Sequence, residues 1–497
     1  MNSKVAIRRF ATGVRGLDTI LGGGLPEFSF NVIGGPPGSG KTTLAHQMMF
    51  ALATRERPAL FFTVYGEPPL KMLRYQQQFS FFDLKKIDDS IRFVNLSDDV
   101  ATGNFDQVMA RINEEVAASS PALIFVDSFH SLMLEVKHPT DSMVSLPHFI
   151  HQLGLQLSSW QATTFLVGGY LFDSDTHPVF TVADGLLLLS QSVQRNSMVR
   201  KIQILKMRGQ ATSPGMHTFR MSNNGIEIFP AATIRDDTGL DTETNRQPRS
   251  EVRLSMGVRE LDEMLGGGLP AGYSLLVAGP SGSGKTIVGT AFLAEGVRRR
   301  EPGVLVAFEQ TPSQSWTRTI DNMVSSGQIG LINTRSLDLS IDEIVQHLIS
   351  LIHRMNATRV VIDSLSGFEL AVAPTFREDF RESLFRMVAA LSNIGVTVLM
   401  TSELEDRYTD LRFSPYGSAF LTDAIIVQRY IEIESCLKRV ISVVKVRDSG
   451  HSKEIRQFEI TDDGIVIGEP VLKYEGLLGG RPTRTPTSNK EYGAKAR

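Results

Sequence analysis

The sequence is nearly free of cysteine: its 497 residues include only Cys436. One thiol cannot build a disulfide framework or a multi-cysteine zinc site, and such usage is typical of a reducing compartment. The sequence also lacks any run of about 18 apolar residues, so we expect no membrane-spanning segment. The first ten residues, MNSKVAIRRF, have no apolar signal core. These absences predict a cytoplasmic protein with no membrane partner.

A strong excess of charge is missing as well. The formal net charge is -3, with 21% charged and 42% hydrophobic residues, which is an ordinary globular balance. This balance gives no global attraction to nucleic acid, although a local basic channel would be compatible with it. The composition therefore argues against nucleic acid as the main ligand.

One glycine-rich stretch is present twice. It reads GPPGSGKT over residues 35–42 and GPSGSGKT over residues 279–286, 244 positions later. Each copy follows a β-rich run and precedes a segment of good helix formers, which is the context of a phosphate-binding loop. The predicted phosphate-binding residues are Gly35, Pro36, Pro37, Gly38, Ser39, Gly40, Lys41, Thr42, Thr43, Gly279, Pro280, Ser281, Gly282, Ser283, Gly284, Lys285 and Thr286.

The last two residues of each loop have distinct predicted roles. The ammonium groups of Lys41 and Lys285 are expected on the β- and γ-phosphates of a nucleotide. The hydroxyl groups of Thr42 and Thr286 are expected on Mg²⁺. We therefore expect ATP and Mg²⁺ as cofactors of both loops.

The same offset relates more of the chain than the loops. Residues 13–26, GVRGLDTILGGGLP, recur over 257–270 as GVRELDEMLGGGLP. Each copy continues with apolar runs that alternate with helical patterns, which predicts an α/β fold with a mostly parallel, twisted sheet flanked by helices. We predict a first domain over 1–230, a polar linker over 231–252, a second domain over 253–478 and a tail over 479–497.

Two apolar runs end in an aspartate. Asp127 follows Lys41 by 86 residues and Asp363 follows Lys285 by 78. Because continuous apolar runs suit central parallel strands, each aspartate is predicted to hold the magnesium ion from the end of such a strand. The alternative is an ordinary strand-end acid, which the similar spacing in both copies disfavours. The aspartate would hold the ion through a water molecule, and the serines that follow, Ser128 and Ser364, are weaker candidates for holding that water.

Hydrolysis also requires a group that orients or deprotonates the attacking water. Glu67 is the candidate base in the first copy, and Glu309 is the corresponding acid in the second, with Gln310 beside it. A solvated loop acid is the alternative explanation for both glutamates.

A pair of cations recurs near the end of each copy. Lys206 and Arg208 are two residues apart on a predicted strand, as are Lys445 and Arg447, so each pair shares one face. The pair is either a solvated strand face or a catalytic finger that reaches the γ-phosphate of a neighbouring subunit. Its repetition in both copies favours the finger.

With these motifs, the chain resembles the KaiC family of double-domain ATPases in the RecA superfamily, over about residues 8–475. The glycine-rich lead and the K-x-R strand carry most of the resemblance. It implies two tandem RecA-like domains and a two-tiered homohexamer with ATP at the subunit interfaces. It also implies signalling partners such as KaiB-like proteins, a slow ATPase in the first tier and fingers that act on the next subunit. In the clock protein the second tier is a serine/threonine autokinase and autophosphatase.

The chain departs from that family at the glutamates. The clock protein has two adjacent glutamates where this sequence has Gly66-Glu67 and Glu309-Gln310, so each site keeps one. If Gln310 replaces the residue that activates the nucleophile, the chemistry of the second site is weakened or altered.

The phosphoacceptor region departs as well. The acceptor pair aligns with Ala419 and Phe420, which cannot be phosphorylated, so a serine/threonine autokinase activity of the second domain would have to use the flanking Ser418 or Thr422. In addition, Asp448 stands where the family has the glycine of K-x-R-G. An ATPase switch is therefore the leading hypothesis. A DNA-stimulated ATPase and a nucleotide-gated scaffold with an inactive second site are the alternatives.

Overall fold

The chain forms two compact units, Met1–Thr233 and Ile234–Arg497. The boundary between the units lies inside the predicted linker. The computed structural model describes residues 7–64, 69–101, 105–127, 156, 161–169, 178–194, 197–231, 252–308, 318–333, 340–372, 380–404, 421–462, 464–472, 474–477 and 483–484.

The first unit contains a nine-stranded sheet and a two-stranded ribbon. Its strands are β1 (Arg9–Phe10), β2 (Leu25–Pro26), β3 (Phe30–Gly34), β4 (Ala59–Thr63), β5 (Ile91–Asn95), β6 (Leu123–Asp127), β7 (Thr163–Gly168), β8 (Gly185–Gln194), β9 (Ser197–Met207), β10 (Met216–Ser222) and β11 (Gly225–Phe229). Its helices are α1 (Leu17–Leu21), α2 (Lys41–Leu52), α3 (Pro69–Gln76), α4 (Ser97–Ala101), α5 (Phe105–Ser119) and α6 (Pro178–Val182), with a 3-10 turn at Leu84–Lys86.

The sheet of the first unit has the order β11-β10-β9-β8-β3-β7-β6-β4-β5. In this order, the neighbouring strands β8, β3, β7, β6, β4 and β5 run parallel. At the other side of the sheet, β9, β10 and β11 extend it in antiparallel fashion. Alternate side chains enter two separate cores. Phe61, Phe125 and Phe165 pack on the α2 side, whereas Phe62 and Val126 pack on the opposite side.

The second unit repeats this plan. Its strands are β12 (Arg253–Leu254), β13 (Leu269–Pro270), β14 (Ser274–Gly279), β15 (Gly303–Ala307), β16 (Ile329–Asn333), β17 (Arg359–Asp363), β18 (Thr397–Glu403), β19 (Ala424–Ile433), β20 (Cys436–Val446), β21 (Arg456–Thr461), β22 (Gly464–Pro470), β23 (Tyr474–Glu475) and β24 (Thr483–Arg484). Its helices are α7 (Arg259–Met264), α8 (Lys285–Arg298), α9 (Arg318–Ser325), α10 (Ile341–Met355), α11 (Leu365–Ala371) and α12 (Phe380–Ile394).

Its large sheet has the order β16-β15-β17-β18-β14-β19-β20-β21-β22, again with parallel strands followed by antiparallel ones. The predicted fold class, two tandem RecA-like α/β domains with mostly parallel sheets, is confirmed. Within the residues that the structure describes, no helix is both long and apolar enough to cross a membrane.

The repeated glycine-rich lead has a structural role. The carboxylate of Asp18 accepts the backbone N–H of Thr12 at 2.8 Å, and that of Asp262 accepts Met256 N–H at 2.7 Å. Gly24 has φ +109°, and a Cβ added there would lie 2.3 Å from the Phe10 carbonyl oxygen. In both copies the lead therefore holds the backbone segments close together where the first helix meets the small ribbon.

Candidate functional site

The first phosphate loop leaves the carboxyl end of β3 and enters α2 at Lys41. Gly40 precedes the helix with φ +96°, a left-handed conformation that favours glycine. Gly35 has φ +152°, and a Cβ there would approach the Leu189 carbonyl oxygen to 2.3 Å. The backbone therefore requires glycine at these positions, and the first turn of α2 presents N–H groups without partners inside the helix.

Three predicted residues come together at the start of α2. Thr42 Oγ1 donates a 2.6 Å hydrogen bond to Asp127 Oδ2, which comes from the end of β6. Lys41 Nζ donates to the Pro36 carbonyl oxygen at 2.8 Å, within the loop itself. An ammonium, a hydroxyl and a carboxylate thus converge at the positive end of a helix.

Burial sets the electrostatics of this group. It raises the pKa of Asp127 above its ordinary value, while the Thr42 hydrogen bond and the charge of Lys41 oppose the rise. Burial also lowers the pKa of Lys41, and the charge of Asp127 opposes that shift. Anionic phosphate and a divalent cation would each stabilise the charged form of one partner, so the group is suited to a metal–nucleotide complex.

The first loop also has features that fit a bound phosphate. Ser39 is fully buried, and among the described residues its hydroxyl has no hydrogen-bond partner. Gly38 lies open: a Cβ there would meet only the Gln191 side chain, at 3.5 Å. The loop thus combines an unsatisfied polar atom, an approachable backbone and an ammonium group, all of which fit a bound phosphate.

The second loop has the same course but different support. Lys285 Nζ donates to the carbonyl oxygens of Gly279 at 2.9 Å and Pro280 at 2.7 Å. Ser283 Oγ, the counterpart of Ser39, donates to Gln428 Oε1 at 3.0 Å. The second loop is therefore braced from a neighbouring strand by a polar side chain.

The predicted magnesium aspartate of the second unit also has a different partner. Asp363 ends β17, is buried, and accepts a hydrogen bond from Thr401 Oγ1 of β18 on its Oδ1 atom. The structure thus orients the two candidate aspartates through different hydroxyl groups.

The predicted fingers lie away from the loop of their own unit. β3 runs from Phe30 to the phosphate loop, and Phe30 N–H donates to Asp184 Oδ2 at 3.0 Å. The other oxygen of that carboxylate, Oδ1, pairs with Arg208 Nη1 at 3.2 Å. Arg208 therefore lies at the start of β3, about 15 Å of extended strand from the loop.

The lysine of this pair lies at the same edge. Lys206 Nζ donates to the carbonyl oxygens of Phe180 at 3.2 Å and Thr181 at 3.3 Å. Burial lowers the pKa of Lys206, and the nearby charge of Arg208 adds to that effect. The structure thus brings the two cations together.

The second unit repeats the arrangement. Arg447 Nη1 lies 3.5 Å from Asp423 Oδ1, and Asp423 Oδ2 accepts Ser274 N–H at 3.1 Å. Lys445 Nζ donates to the Thr422 carbonyl oxygen at 2.6 Å. The same arrangement, a cation pair whose arginine is bound by an aspartate, thus recurs in both units.

Comparison with known proteins decides the family. The family model described as "ATPase: KaiC" matches residues 10–233 and 254–471. The chain belongs to the KaiC ATPase family. The family predicted from the motifs is therefore confirmed, and both matched segments contain a phosphate loop and a cation pair.

Individual KaiC proteins align along nearly the whole chain. KaiC 1, named a circadian clock oscillator protein, of Synechocystis sp. is 27% identical over 502 residues, covering 97% of this chain and 93% of the relative. The KaiC of Rippkaea orientalis is 28% identical over 504 residues, covering 98% and 94%. That of Thermostichus vulcanus is 26% identical over 506 residues, with the same coverage of 98% and 94%.

Several predicted KaiC-type residues fall outside the described part of the chain. They are Glu67, Ser128, Glu309, Gln310, Ser418, Ala419 and Phe420. Two others are described. Ser364 Oγ caps α11 by accepting Gly367 N–H at 3.1 Å, and Thr422, which flanks the expected acceptor pair, is fully buried.

Sequence reasoning missed three polar residues that support the predicted ones. Asp184 and Asp423 hold the arginines, and Thr401 holds Asp363. The two aspartates occupy equivalent positions just before β8 and β19, so the internal repeat carried a signal for them. Thr401 had no such signal, because the first copy has Val167 at the equivalent register.

Proposed function

We propose that the chain is a Mg²⁺-dependent ATPase that binds nucleotide at both phosphate loops and works as an oligomeric switch. The observation that carries the proposal is the convergence of Lys41, Thr42 and Asp127 at the start of α2, where the Thr42–Asp127 distance is 2.6 Å. The family match supports the ATPase assignment for both units.

In this proposal each loop residue has one task. Lys41 and its counterpart Lys285 neutralise phosphate oxygens. Thr42 and Asp127 would hold Mg²⁺ in the first unit, as Thr286 and Asp363 would in the second. The ion would supply charge neutralisation for the nucleotide phosphates.

The attacking water needs a separate group. On the resemblance to the clock protein we assign its orientation to Glu67 in the first unit and to Glu309 in the second. We place the main site of hydrolysis in the first unit, because Glu67 matches the second of the clock protein's two glutamates, whereas Gln310 stands at that position in the second unit.

The cation pairs support a site shared between copies of the chain. Lys206 and Arg208 lie at the opposite end of β3 from their own loop, so neither can reach the nucleotide that this loop holds. A neighbouring copy would have to supply them, and they would stabilise the negative charge of the transition state there. We propose a homohexamer, as the family resemblance implies.

Water is the proposed acceptor of the phosphoryl group. The expected acceptor pair is Ala419 and Phe420, which have no hydroxyl group, and the neighbouring Thr422 is fully buried. We therefore favour hydrolysis over autophosphorylation at Thr422. Partner proteins would sense the nucleotide state through the packing of the subunits.

Calorimetry with a non-hydrolysable ATP analogue tests nucleotide binding. Wild type is expected to bind two equivalents per chain, and Lys41→Ala and Lys285→Ala should each weaken one site by about 10- to 100-fold. The reason is that charge-assisted hydrogen bonds contribute about 1.5–3 kcal/mol. Lys85→Ala, at an exposed lysine, is the control. Unchanged binding in the double variant would refute the proposal.

The same preparation separates the alternatives. A DNA-stimulated ATPase predicts faster phosphate release on addition of single-stranded oligonucleotide, whereas we expect a flat rate. A scaffold with an inactive second site predicts no phosphate release from Lys41→Ala. Intact mass after incubation with Mg²⁺-ATP would reveal any phosphorylated residue.

A further inference from the structure

The side chain that holds Asp363 lies on the same face of the sheet as the phosphate-loop helix. A Cβ added at Gly289 of α8 would meet Val361 at 3.0 Å and Leu399 at 3.8 Å, so these two side chains point toward that helix. Side chains alternate along a strand, so Asp363, two residues after Val361, and Thr401, two after Leu399, point the same way. The bond between them therefore forms beneath the helix that begins at the loop.

The first unit has no hydroxyl at this place. Val167 pairs with Ile33 of β3, and Thr401 pairs with Val277 of β14 at the equivalent register. Val167 is fully buried in an apolar core. Asp127 is instead held by Thr42, a residue of the phosphate loop itself.

The two aspartates thus differ in what fixes them. Asp127 depends on a loop hydroxyl that is itself a proposed cation ligand. Asp363 depends on a hydroxyl of the central sheet. Both residues of this hydrogen bond are shielded from water, since Thr401 is fully buried and Asp363 is 7% exposed. A hydrogen bond in such surroundings orients a carboxylate strongly.

We propose that Thr401 is a positioning residue that holds the Asp363 carboxylate in place for the divalent cation of the second site. This inference rests on the proposed function, which assigns Asp363 to Mg²⁺. Outer-shell partners of metal-binding carboxylates typically change metal affinity by about 10- to 100-fold when they are removed. The second site, with its carboxylate fixed by the sheet, binds the cation more tightly than the first.

Manganese binding to the full-length chain tests this directly. Free Mn²⁺ is counted by electron paramagnetic resonance in the presence of a non-hydrolysable ATP analogue, so no turnover is needed. Thr401→Val keeps the shape of the side chain and removes the hydroxyl. We expect one of the two Mn²⁺ dissociation constants to rise about tenfold and the other to stay unchanged.

Two further variants serve as matched controls. Thr401→Ser keeps a hydroxyl and should restore most of the wild-type affinity. Val167→Thr adds the hydroxyl to the first unit and should tighten that site severalfold, so the inference stays testable even if Thr401→Val does not fold.

The inference is overturned if Thr401→Val leaves both constants unchanged or weakens both sites equally. It is also overturned if Thr401→Ser binds Mn²⁺ as weakly as Thr401→Val. Absence of Mn²⁺ binding in the wild type would instead refute the assignment of the aspartates, and with it the proposed function.

Discussion

At the scale of single residues, His46 shows how burial in the core of the first unit changes the pKa of a side chain. It lies in α2, fully buried, and its ring centroid is 4.6 Å from that of Phe61. Burial lowers the pKa of His46 to about 4, and the nearby Gln76 side chain offsets part of the shift. The folded chain therefore keeps this imidazole neutral at pH values where the unfolded chain would protonate it.

Acid should weaken the first unit through this residue. The folded pKa, about 4, lies below the ordinary value of 6.5, so the unfolded state binds the extra proton between these values. The stability linked to neutral His46 is complete above pH 6.5 and is lost as the pH falls toward 4, with a loss of about 2 kcal/mol from pH 7 to pH 5. Denaturant unfolding of wild type and His46→Leu should show that the variant loses this part of the pH dependence.

The exposed His353 provides the control for that measurement. His353→Gln should keep the full pH dependence. An unchanged slope in His46→Leu would contradict the assignment to His46.

The residues of the loops were predictable because their backbone limits the choice of side chain. Positive φ angles at Gly35 and Gly40, together with a close carbonyl contact at Gly35, favour glycine at both positions, so the pattern is visible in the sequence. The hydroxyl partners of Asp127 and Asp363 were different. Which side chain faces a carboxylate depends on strand register, and a single sequence does not state how strands pair.

At the scale of elements, the short strand β3 has the phosphate loop at one end and the Asp184–Arg208 pair at the other. Asp184 accepts the first N–H of β3 with one carboxylate oxygen and holds Arg208 with the other, at 3.0 and 3.2 Å. The phosphate loop follows β3 at its far end. Asp184 thus connects the start of β3 to Arg208 of the proposed finger.

Asp184→Asn should separate these two tasks. The amide oxygen still accepts the Phe30 N–H, so the fold should be kept, but the charge that holds Arg208 is lost. Because exposed ion pairs contribute up to about 1 kcal/mol, we expect kcat to fall at most about fivefold with KM unchanged, measured in the Lys285→Ala background.

A double-mutant cycle checks whether the effect passes through the arginine. Asp184→Asn should add nothing in an Arg208→Ala chain, and Asp89→Asn, which loses a surface pair with Arg55, should change no rate. Additive effects of Asp184→Asn and Arg208→Ala would show that Asp184 acts by another route.

The elements themselves were largely predictable. Apolar runs predicted the parallel strands, and Asn223 and Asn224 form the two-residue turn between the antiparallel strands β10 and β11. The order of the strands was not predictable in detail. Hydrophobic periodicity marks a strand as buried, but it does not say that β8 lies beside β3 or that β9 begins an antiparallel extension.

At the scale of the whole molecule, the position of the cation pairs predicts complementation between defective chains. Lys41→Ala lacks the phosphate-binding group of the first site but retains the finger, whereas Arg208→Ala has the opposite defect. Mixed and reassembled, the two variants should regain part of the phosphate release that each lacks alone, because some interfaces combine an intact loop with an intact finger. The experiment uses chains that also carry Lys285→Ala, so that the second site contributes little.

Two controls define the outcome of that mixing. Lys41→Ala mixed with a Lys41→Ala, Arg208→Ala chain should stay inactive at every ratio. Failure of the first mixture, with assembly shown by sedimentation, would place the finger and the loop in one chain and contradict the trans arrangement.

The separation of the phosphate loop from Lys206 and Arg208 along β3 also predicts how specific activity depends on protein concentration. A solitary chain carries every group that the proposed reaction needs, yet they stand at opposite ends of a strand, so saturating nucleotide alone cannot make it turn over. In the proposed ring, each contact between copies would complete one site, and closing the ring would complete the last. Specific activity should therefore fall with dilution before nucleotide binding does, which makes the amount of protein in the cell an input to the switch.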